Sequence, residues 1–262
     1  MKTAFISGST SGIGLAFAQH LAQHLAQQGY ALILHGRNQM RLNQLAETLP
    51  NVKLTIAADL SHSQPLAHLL QQLEDYPEPI EVAINNAGFG LHGEHLSLAE
   101  EAIDNMLALN ISATTKLSRY FANRMAKQGG GHMLNVASTA AYQPQPYMAA
   151  YAASKAYVSS FTESLAKEMR AQKVNITCLS PGRTNTGFFH FDGQDAAKFG
   201  QGTFAEKHRA DPHTIAKLGL NALFNHQVRE IPLWENKFYV FLNRLLPRNW
   251  VLSLYHRAMA NI

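Results

Sequence analysis

Cysteine is nearly absent from this sequence, because Cys178 is the only one among 262 residues. A single thiol cannot form a disulfide within the chain, and it cannot supply the cluster of thiolates that holds a structural metal ion. The sequence therefore excludes an internal disulfide framework and fits a protein of a reducing compartment.

Long apolar runs are absent as well. No segment reaches about 18 unbroken apolar residues, the length that predicts a membrane-spanning helix. The first residues, MKTAFISGST, also lack the apolar core that defines a secretory signal peptide. We therefore expect a cytoplasmic protein that does not span a membrane.

Charged residues are few, at 15% of the chain, whereas 46% of the residues are hydrophobic. This balance suits one or two globular domains with a sizeable core. The net charge of +4 is modest for the length, and no run of lysine or arginine with interleaved aromatics predicts a nucleic-acid groove. We expect no nucleic-acid partner.

Short apolar runs alternate with longer segments of helical periodicity. The runs predict buried strands at 2–7, 31–36, 52–58, 80–85, 131–138 and 174–180, with a candidate seventh at 228–233. Helical periodicity lies between them, near 12–28, 38–48, 63–75, 97–127, 151–171 and 211–225. This alternation predicts an α/β fold of the Rossmann type, a doubly wound parallel sheet of about seven strands with helices on both faces. Ligands in that architecture bind at the carboxyl ends of the strands.

The first predicted helix contains a four-residue duplication, AQHLAQHLAQQ at 18–28, which lengthens it by about 6 Å. His20 and His24 thereby gain the spacing of two metal ligands on one helix face. No glutamate stands beside them in a His-Glu-x-x-His pattern, and no third ligand is evident. We interpret the segment as a longer surface helix and expect no metal site.

Three glycines, Gly8, Gly12 and Gly14, stand in the first connection between a predicted strand and a predicted helix, SGSTSGIG. Glycine lets the backbone turn sharply and approach a pyrophosphate closely, and a helix N-terminus favours an anion. Glycines at such a position are also found as plain turn residues. Three of them, with hydroxyl residues between, favour dinucleotide binding.

The end of the second predicted strand, LILHGRN at 32–38, bears on the choice of cofactor. An NAD-specific fold usually carries an acid there, whereas a nearby arginine accommodates the 2′-phosphate of NADP. Gly36 stands in place of the acid and Arg37 follows it. Guanidinium offers the phosphate a bidentate partner, so the sequence favours NADP(H). If Arg37 is instead a solvated loop charge, this preference stays open.

The stretch YAASK places Tyr151 and Lys155 four positions apart. Residues with this spacing share a helix face, so such a pair also arises by chance. Tyr120 and Arg124 form a similar pair, with nothing around them that suggests chemistry. On spacing alone, a solvated helix face is the better interpretation of Tyr151 and Lys155.

Seven short motifs follow one another along the chain. They are SGSTSGIG at 7–14, ADL at 58–60, NNAG at 85–88, ALNIS at 108–112, NVAS at 135–138, YAASK at 151–155 and PGRTNT at 181–186. Over residues 1 to about 190 these motifs resemble the short-chain dehydrogenase/reductase family, in its simple single-domain branch. Ser7 in place of the family's threonine is a conservative departure. The joint occurrence in this order is a strong signal, and it changes the interpretation of Tyr151 and Lys155 to a catalytic pair.

The resemblance implies a catalytic set of Asn110, Ser138, Tyr151 and Lys155. Tyr151 would donate a proton in reduction and accept one in oxidation. Its ordinary pKa of about 10 is too high for efficient exchange near neutrality, and the cation of Lys155 is expected to lower that pKa by roughly 3 units. Ser138 would hold the substrate oxygen, and Asn110 resembles the residue that keeps a water in line with Lys155. Alternatively, Ser138 only caps a strand end and Asn110 bonds its own helix backbone.

The resemblance also implies hydride transfer between a nicotinamide and a carbonyl or secondary alcohol, with NADP (NADPH) as the cofactor. Asp59 resembles the aspartate that holds the adenine, Lys155 the lysine that also bonds the nicotinamide ribose, and PGRTNT the segment beside the nicotinamide. The expected cofactor-binding residues are Gly8, Ser9, Thr10, Ser11, Gly12, Ile13, Gly14, Arg37, Asp59, Leu60, Asn86, Ala87, Gly88, Tyr151, Lys155, Pro181, Gly182, Thr184 and Thr186.

The composition of the chain changes beyond residue 186. The segment 187–204, GFFHFDGQDAAKFGQGTF, contains five phenylalanines and falls where the family's substrate loop lies. These phenylalanines fit a pocket for a bulky apolar carbonyl compound, and equally a loop that packs onto the core.

We expect residues 1–190 to form the dinucleotide-binding and catalytic domain. Residues 187–262 would add a substrate loop and an amphipathic C-terminal extension to it.

The last stretch, 236–259, predicts two short amphipathic helices separated at Pro247. Aromatics with interspersed arginines suit an interfacial membrane helix, although packing on the domain or across an oligomer interface is commoner. From residue 229 onward, five lysines and arginines stand against two acids, so this tail carries +3 of the total charge of +4. The ending resembles a subgroup of the family with hydrophobic substrates.

These observations predict an NADP(H)-dependent oxidoreductase that reduces an apolar ketone or aldehyde. A non-enzymatic NADP(H) sensor or scaffold on the same fold is the alternative, although a sensor has no need of a proton donor such as Tyr151. A sugar-nucleotide epimerase shares the tyrosine and lysine but needs a larger C-terminal domain. The family's frequent pairing through the helices near 97–127 and 151–171 implies a homodimer or homotetramer.

Overall fold

The computed structural model describes residues 2–26, 30–186 and 209–259. Its strands are β1 (Lys2–Ile6), β2 (Tyr30–Gly36), β3 (Val52–Ala57), β4 (Ile80–Asn85), β5 (Gly131–Val136), β6 (Val174–Leu179) and β7 (Arg229–Glu230). Within the described residues these seven strands form one parallel sheet of order β3-β2-β1-β4-β5-β6-β7.

Helices cover both faces of this sheet. They are α1 (Gly12–Ala26), α2 (Gln39–Thr48), α3 (Ser63–Glu74), α4 (Glu100–Leu107), α5 (Thr114–Lys127), α6 (Ala149–Glu168), α7 (Pro212–Phe224), α8 (Trp234–Leu245) and α9 (Arg248–Met259). The order of the strands places β1 beside β4, so the winding reverses between them, and ligands bind at such a reversal. The predicted Rossmann-type α/β fold is confirmed.

The central strands are apolar because both of their faces are covered. Phe5 of β1 is the register partner of Ile33 of β2, and both belong to the core beneath α3 and α5. The next pair, Ile6 and Leu34, points to the other face and packs in the core with α1 and α7. Each such fully buried side chain stabilises the fold by about 1.5–3 kcal/mol relative to an exposed one.

A buried polar network joins the ends of the central strands to the helices. Asn85 of β4 donates from Nδ2 to Oδ1 of Asn135 of β5 at 2.8 Å, and Asn135 donates to the hydroxyls of Ser118 and Thr162, each at 3.0 Å. Ser118 lies on α5 and Thr162 on α6. The network therefore fixes the two helices relative to the strand ends from which the NNAG and NVAS motifs extend.

Two predicted elements differ from the observed ones. The single helix expected at 97–127 is divided, because a π-helical segment at Ala108–Ala113 separates α4 from α5. The candidate strand at 228–233 is reduced to the two residues of β7, since Pro232 has no N–H to donate to a ladder.

The two predicted C-terminal helices are confirmed, and α8 and α9 stand on either side of Leu246 and Pro247. The predicted substrate loop, 187–204, lies outside the described residues. Within the described ranges, no helix has both the length and the hydropathy needed to cross a bilayer.

The pair formed by Tyr120 and Arg124 has a structural role. The Arg124 guanidinium donates to the carbonyls of Leu73 at 2.6 Å, Tyr76 at 2.7 Å and Glu78 at 2.9 Å, and to the Tyr120 hydroxyl at 2.9 Å. Arg124 thus holds the connection from α3 to β4 against α5, and it does not line the cavity described below.

Replacing Arg124 with methionine is expected to lower the free energy of unfolding by about 2 kcal/mol or more, since hydrogen bonds from a charged group contribute about 1.5–3 kcal/mol. Urea titration measures the change. Arg119→Met, an exposed position on the same helix, is the control and should leave stability close to that of the wild type. If Arg124→Met instead loses turnover but keeps the stability of the wild type, the structural role of Arg124 is contradicted.

Candidate active site

The carboxyl ends of the strands open onto a cavity of about 960 Å³, which is walled by the loops that follow β1 to β6, by α6, and by α8 and α9. Every residue predicted for the site lines this cavity except Ser9, Gly14 and Asn110. Residues as far apart in the sequence as Gly8 and Thr186 are therefore collected at one edge of the sheet. A cavity of this size is large enough for a small-molecule ligand.

The loop after β1 has the shape of a phosphate cradle. Gly8 has φ +66° and Gly12 φ +54°, left-handed conformations that favour glycine. A Cβ on Gly14 would overlap the Gly8 carbonyl oxygen, so the loop closes only if Gly14 lacks a side chain. Helix α1 begins at Gly12, and its first N–H groups lie at the cavity wall, where they suit a pyrophosphate.

The NNAG motif after β4 holds this cradle in place. The Ser7 hydroxyl accepts from the backbone N–H groups of Asn86 and Ala87, each at 3.0 Å. Asn86 in turn donates from Nδ2 to the carbonyls of Ser7 at 3.1 Å and Gly8 at 3.2 Å. Only the hydroxyl of Ser7 makes these bonds, so a serine at position 7 can replace the family's threonine.

The ends of β2 and β3 form a polar rim. A Cβ on Gly36 would lie 2.8 Å from Cγ2 of Thr10, so position 36 has no room for an acidic side chain, while Arg37 is exposed at the cavity. Burial disfavours ionisation of Asp59, but hydrogen bonds from Ser61 and the charge of Arg37 outweigh it and hold the pKa of Asp59 below its usual value. A cation and a carboxylate thus stand side by side at this rim.

Beneath the rim lies His35, a residue that the sequence analysis missed. Its side chain is 2% exposed, its Nδ1 accepts from the Gly8 N–H at 3.3 Å, and its Nε2 donates to the Ala58 carbonyl at 3.0 Å. Only a neutral ring with its proton on Nε2 makes both bonds. Burial lowers the pKa of His35 to about 4, against the opposing effects of the Ala58 carbonyl and Asp59. The signal in the sequence was a histidine inside the apolar run LILHG, directly before the residues that face the cavity.

The NVAS and YAASK motifs meet on the other side of the cavity. Tyr151 and Lys155 of α6 are 6% and 3% exposed, so they do not form a solvated helix face. The Tyr151 hydroxyl shares a hydrogen bond with the Ser138 hydroxyl, which also accepts from the Ala140 N–H at 3.1 Å. Lys155 donates from Nζ to the Val136 carbonyl at 2.9 Å. Ser138 therefore caps the turn that begins at Thr139, where the alternative had it cap only a strand end, and it contacts the tyrosine as well.

The pKa of Tyr151 departs from expectation. Burial raises it to about 12, and the hydrogen bond with Ser138 opposes this rise only in part. Burial also lowers the pKa of Lys155 to about 8. The lowered pKa expected for Tyr151 is therefore wrong for the protein alone, because removal of the phenolate from water disfavours its ionisation and the hydrogen bond with Ser138 does not compensate for this.

Asn110 lies behind the wall, in the π-helical segment between α4 and α5. Its Oδ1 accepts from the Phe89 N–H at 3.2 Å, and its Nδ2 donates to the Phe89 carbonyl at 2.9 Å and to the Ser154 hydroxyl at 3.0 Å. A Cβ on Gly88 would lie 2.9 Å from Asn110 Oδ1 and 3.4 Å from Lys155 Nζ, so only glycine permits this approach. Asn110 therefore joins the NNAG loop to α6 through its side chain.

The C-terminal extension closes the far side of the cavity. Asn243 of α8 donates from Nδ2 to Oε1 of Gln143 at 2.9 Å, next to the turn that Ser138 caps. Asn236 packs so closely on Gly182 that a Cβ there would overlap its side chain. Helices α8 and α9 are thus part of the site, and the PGRTNT loop lies directly beneath α8.

Metal-ligand clusters are not found in the described part of the chain, where no three side chains of His, Cys, Asp or Glu converge. His20 of the duplicated segment instead bonds from Nε2 to the His213 carbonyl at 3.1 Å. This contact joins the lengthened helix α1 to α7.

Residues 2–197 match the family model described as short chain dehydrogenase. An uncharacterized oxidoreductase of Staphylococcus epidermidis is 31% identical over 222 residues, which cover 85% of this chain and 90% of the relative. The match to the family model therefore includes all seven motifs and most of the sheet.

Two solved structures resemble the whole chain. A short-chain dehydrogenase from Sphingobium yanoikuyae in complex with NADPH has a TM-score of 0.80 and 26% identity, covering 94% of this chain and 93% of the other. The bulky-bulky ketone specific alcohol dehydrogenase from Comamonas testosteroni has a TM-score of 0.75 and 26% identity, covering 94% and 92%. The likeness extends beyond the region of the family model and into the C-terminal helices.

His35 gives the protein a distinct dependence on pH. The unfolded chain binds a proton at His35 as the pH falls through about 6.5, whereas the folded protein does so only near pH 4. The stability that depends on neutral His35 is therefore complete above pH 6.5 and lost as the pH falls to 4, by about 3 kcal/mol. Urea titrations across this range should show a shallower fall for His35→Gln than for the wild type. His68→Gln, at an exposed histidine, should follow the wild type, and parallel curves for all three proteins would disprove the prediction.

Proposed function

Because this chain belongs to the short-chain dehydrogenase/reductase family, we propose that it is an NADPH-dependent oxidoreductase that reduces an apolar ketone or aldehyde to the alcohol. The observation that carries this proposal is one cavity that holds the glycine cradle, Arg37, and the buried pair of Tyr151 and Lys155. Residues 1–190 would bind the cofactor and perform the reaction, and residues 187–262 would complete the substrate side.

The preference for NADPH rests on the end of β2. Arg37 is exposed at the cavity wall, and Gly36 has no space for the acid that a ribose 2′-hydroxyl would require. Arg37 would bind the 2′-phosphate, Asp59 the adenine and the glycine loop the pyrophosphate. The similar dehydrogenase from Sphingobium yanoikuyae, which is described in complex with NADPH, supports this assignment.

The cofactor supplies a hydride to the carbonyl carbon, and the protein must supply a proton and hold the oxygen. The hydroxyls of Ser138 and Tyr151 already share a hydrogen bond, so a carbonyl oxygen placed between them would accept from both. With a pKa of about 12, Tyr151 is protonated at neutral pH, which is the form that reduction needs. As negative charge develops on the substrate oxygen, the phenol donates its proton to it.

Lys155 would stabilise the phenolate that remains. With a pKa of about 8, its ammonium group is largely protonated at neutral pH although it is buried on α6, one turn from Tyr151. Asn110 would keep this turn in place, since it bonds Ser154, whose hydroxyl donates to the Tyr151 carbonyl at 2.7 Å. A water in line with Lys155 would return the proton to Tyr151.

The apolar substrate is proposed from the walls on the far side of the cavity. Met148, Leu233, Val240 and Met259 line it there, and three of these come from the C-terminal extension. The similar Comamonas testosteroni enzyme is described as specific for ketones with two bulky groups, which supports a bulky apolar substrate here.

The proposed assembly is a homodimer or homotetramer in the cytoplasm, formed through α5 and α6. Tyr157 of α6 is partly exposed, stacks on Phe161 of the same helix at 5.7 Å and bonds Thr115 of α5 at 3.0 Å, so α6 offers a stacked aromatic pair beside α5. A non-enzymatic sensor is the less favoured alternative, because a buried ammonium such as that of Lys155 is costly and cofactor binding alone does not need it next to a tyrosine.

Tyr151→Phe removes the proton donor and tests the proposed reaction. We expect NADPH oxidation with a series of ketones and aldehydes to be fastest for long or bulky substrates, and to fall by at least about 100-fold in the variant, as loss of a general acid implies. NADPH binding, followed by fluorescence, should stay close to that of the wild type. Tyr120→Phe, at a tyrosine that also lies four residues before a cation, should keep its activity. If Tyr151→Phe retains substantial turnover, the tyrosine is not the acid, and if no carbonyl compound is reduced by the wild type, the sensor is favoured.

Arg37→Asp tests the choice of cofactor. The substituted carboxylate would repel a 2′-phosphate and accept from a ribose hydroxyl, so kcat/KM should shift from NADPH toward NADH by about 10-fold or more. Arg41→Asp places the same charge change on exposed α2, four residues away, and should shift the ratio far less. An unchanged ratio in Arg37→Asp would refute the role of this arginine.

A further inference from the structure

Large apolar side chains lie exposed on the outer side of the two C-terminal helices. They are Trp234, Phe238, Phe241, Leu245, Trp250 and Leu254, and we call them the outer face. The four on α8 follow the spacing i, i+4, i+7 and i+11, which is one side of a helix. The opposite side of α8, with Asn236, Val240 and Asn243, lines the cavity. On α8 the outer face therefore lies on the side away from the active site, whereas Arg257 of α9 also lines the cavity.

Positive charge accompanies this face. Between residues 234 and 259 there are four lysines and arginines, Lys237, Arg244, Arg248 and Arg257, and one acid, Glu235. All four cations are exposed, and Lys237 also pairs with Glu230 at 3.1 Å. Exposed apolar residues flanked by cations match an apolar layer bounded by negative charge.

We propose that the outer face of α8 and α9 docks onto an anionic membrane surface, with its tryptophans and phenylalanines inserted at the level of the headgroups. Tryptophan prefers that depth because its ring has an apolar body and a polar N–H group. The docking is peripheral and parallel to the surface, in keeping with two helices of 12 residues each that are too short to cross a bilayer.

A second copy of the chain fits this face less well. A two-fold contact would bring this positively charged patch against the same patch of the partner, and like charges that face each other across an interface are unfavourable. An anionic lipid surface instead attracts the exposed cations that accompany the outer face.

The two tryptophans of the chain are Trp234 and Trp250, and they are 71% and 68% exposed on the outer face. Their emission therefore reports docking directly, without any label or substrate. With the full-length protein at low ionic strength, vesicles of phosphatidylcholine and phosphatidylglycerol should shift the emission to the blue and carry the protein into the pellet. Vesicles of phosphatidylcholine alone should do so weakly, and added salt should reverse the binding.

Two pairs of substitutions separate the electrostatic part of the interaction from the apolar part. Arg244→Gln with Arg248→Gln should weaken the partition into anionic vesicles by roughly 25-fold, since each cation near such a surface contributes about fivefold. Lys53→Gln with Lys127→Gln removes two exposed cations elsewhere and should have little effect. Phe238→Ser with Phe241→Ser should abolish the blue shift, whereas Leu96→Ser, at a side chain that is 97% exposed outside this face, should not.

Recovery of all the protein in the supernatant with anionic vesicles would overturn the proposal. Equal binding to both kinds of vesicle, or an equal loss in the Lys53 and Lys127 variant, would overturn it too. A molecular mass that falls when Phe238 and Phe241 are replaced, with emission that is already blue in solution, would assign the face to a second copy instead.

Discussion

A buried ammonium group organises one half of the candidate site. Lys155 is 3% exposed, and removal of a charge from water is costly unless polar groups replace the lost hydration. The Val136 carbonyl supplies one such group at 2.9 Å, which requires β5 to end where α6 passes. Gly88 lies beside both Lys155 and Asn110, and a Cβ there would approach Asn110 Oδ1 too closely, at 2.9 Å. The strand end, the glycine and the π-helical segment that carries Asn110 thus meet next to the same buried lysine.

The glycine loop after β1 is held rigidly by its neighbours. Gly8 is held from three directions, by the left-handed turn that it makes itself, by the side chain of Asn86, and by the ring of His35. His35 extends this hold to the Ala58 carbonyl, which precedes Asp59, so the glycine loop and the loop that carries Asp59 are tied to one neutral imidazole. Preorganised loops lower the entropy that a ligand must remove on binding.

The sequence was most informative where glycine spacing and apolar periodicity dictate the backbone. The order of strands and helices, the cradle of Gly8, Gly12 and Gly14, and the C-terminal helices on either side of Pro247 could all be predicted. His35 could not, since its role depends on a carbonyl of a neighbouring strand that spacing does not reveal. The raised pKa of Tyr151 could not be predicted either, because it results from burial, which is a property of the packed protein and does not follow from the one-turn spacing to Lys155.

Two tyrosines that each precede a cation by four residues show why spacing alone cannot assign chemistry. Arginine stays charged under all ordinary conditions and offers five donors, so Arg124 is satisfied by three carbonyls and serves packing. Lysine has a pKa that burial can move, and that of Lys155 is lowered to about 8. A group whose pKa lies so close to neutral pH can take part in a proton relay, whereas a guanidinium bound to carbonyls cannot. What separates the two pairs is therefore the cation, Arg124 or Lys155, and the groups that surround it, and not the tyrosine.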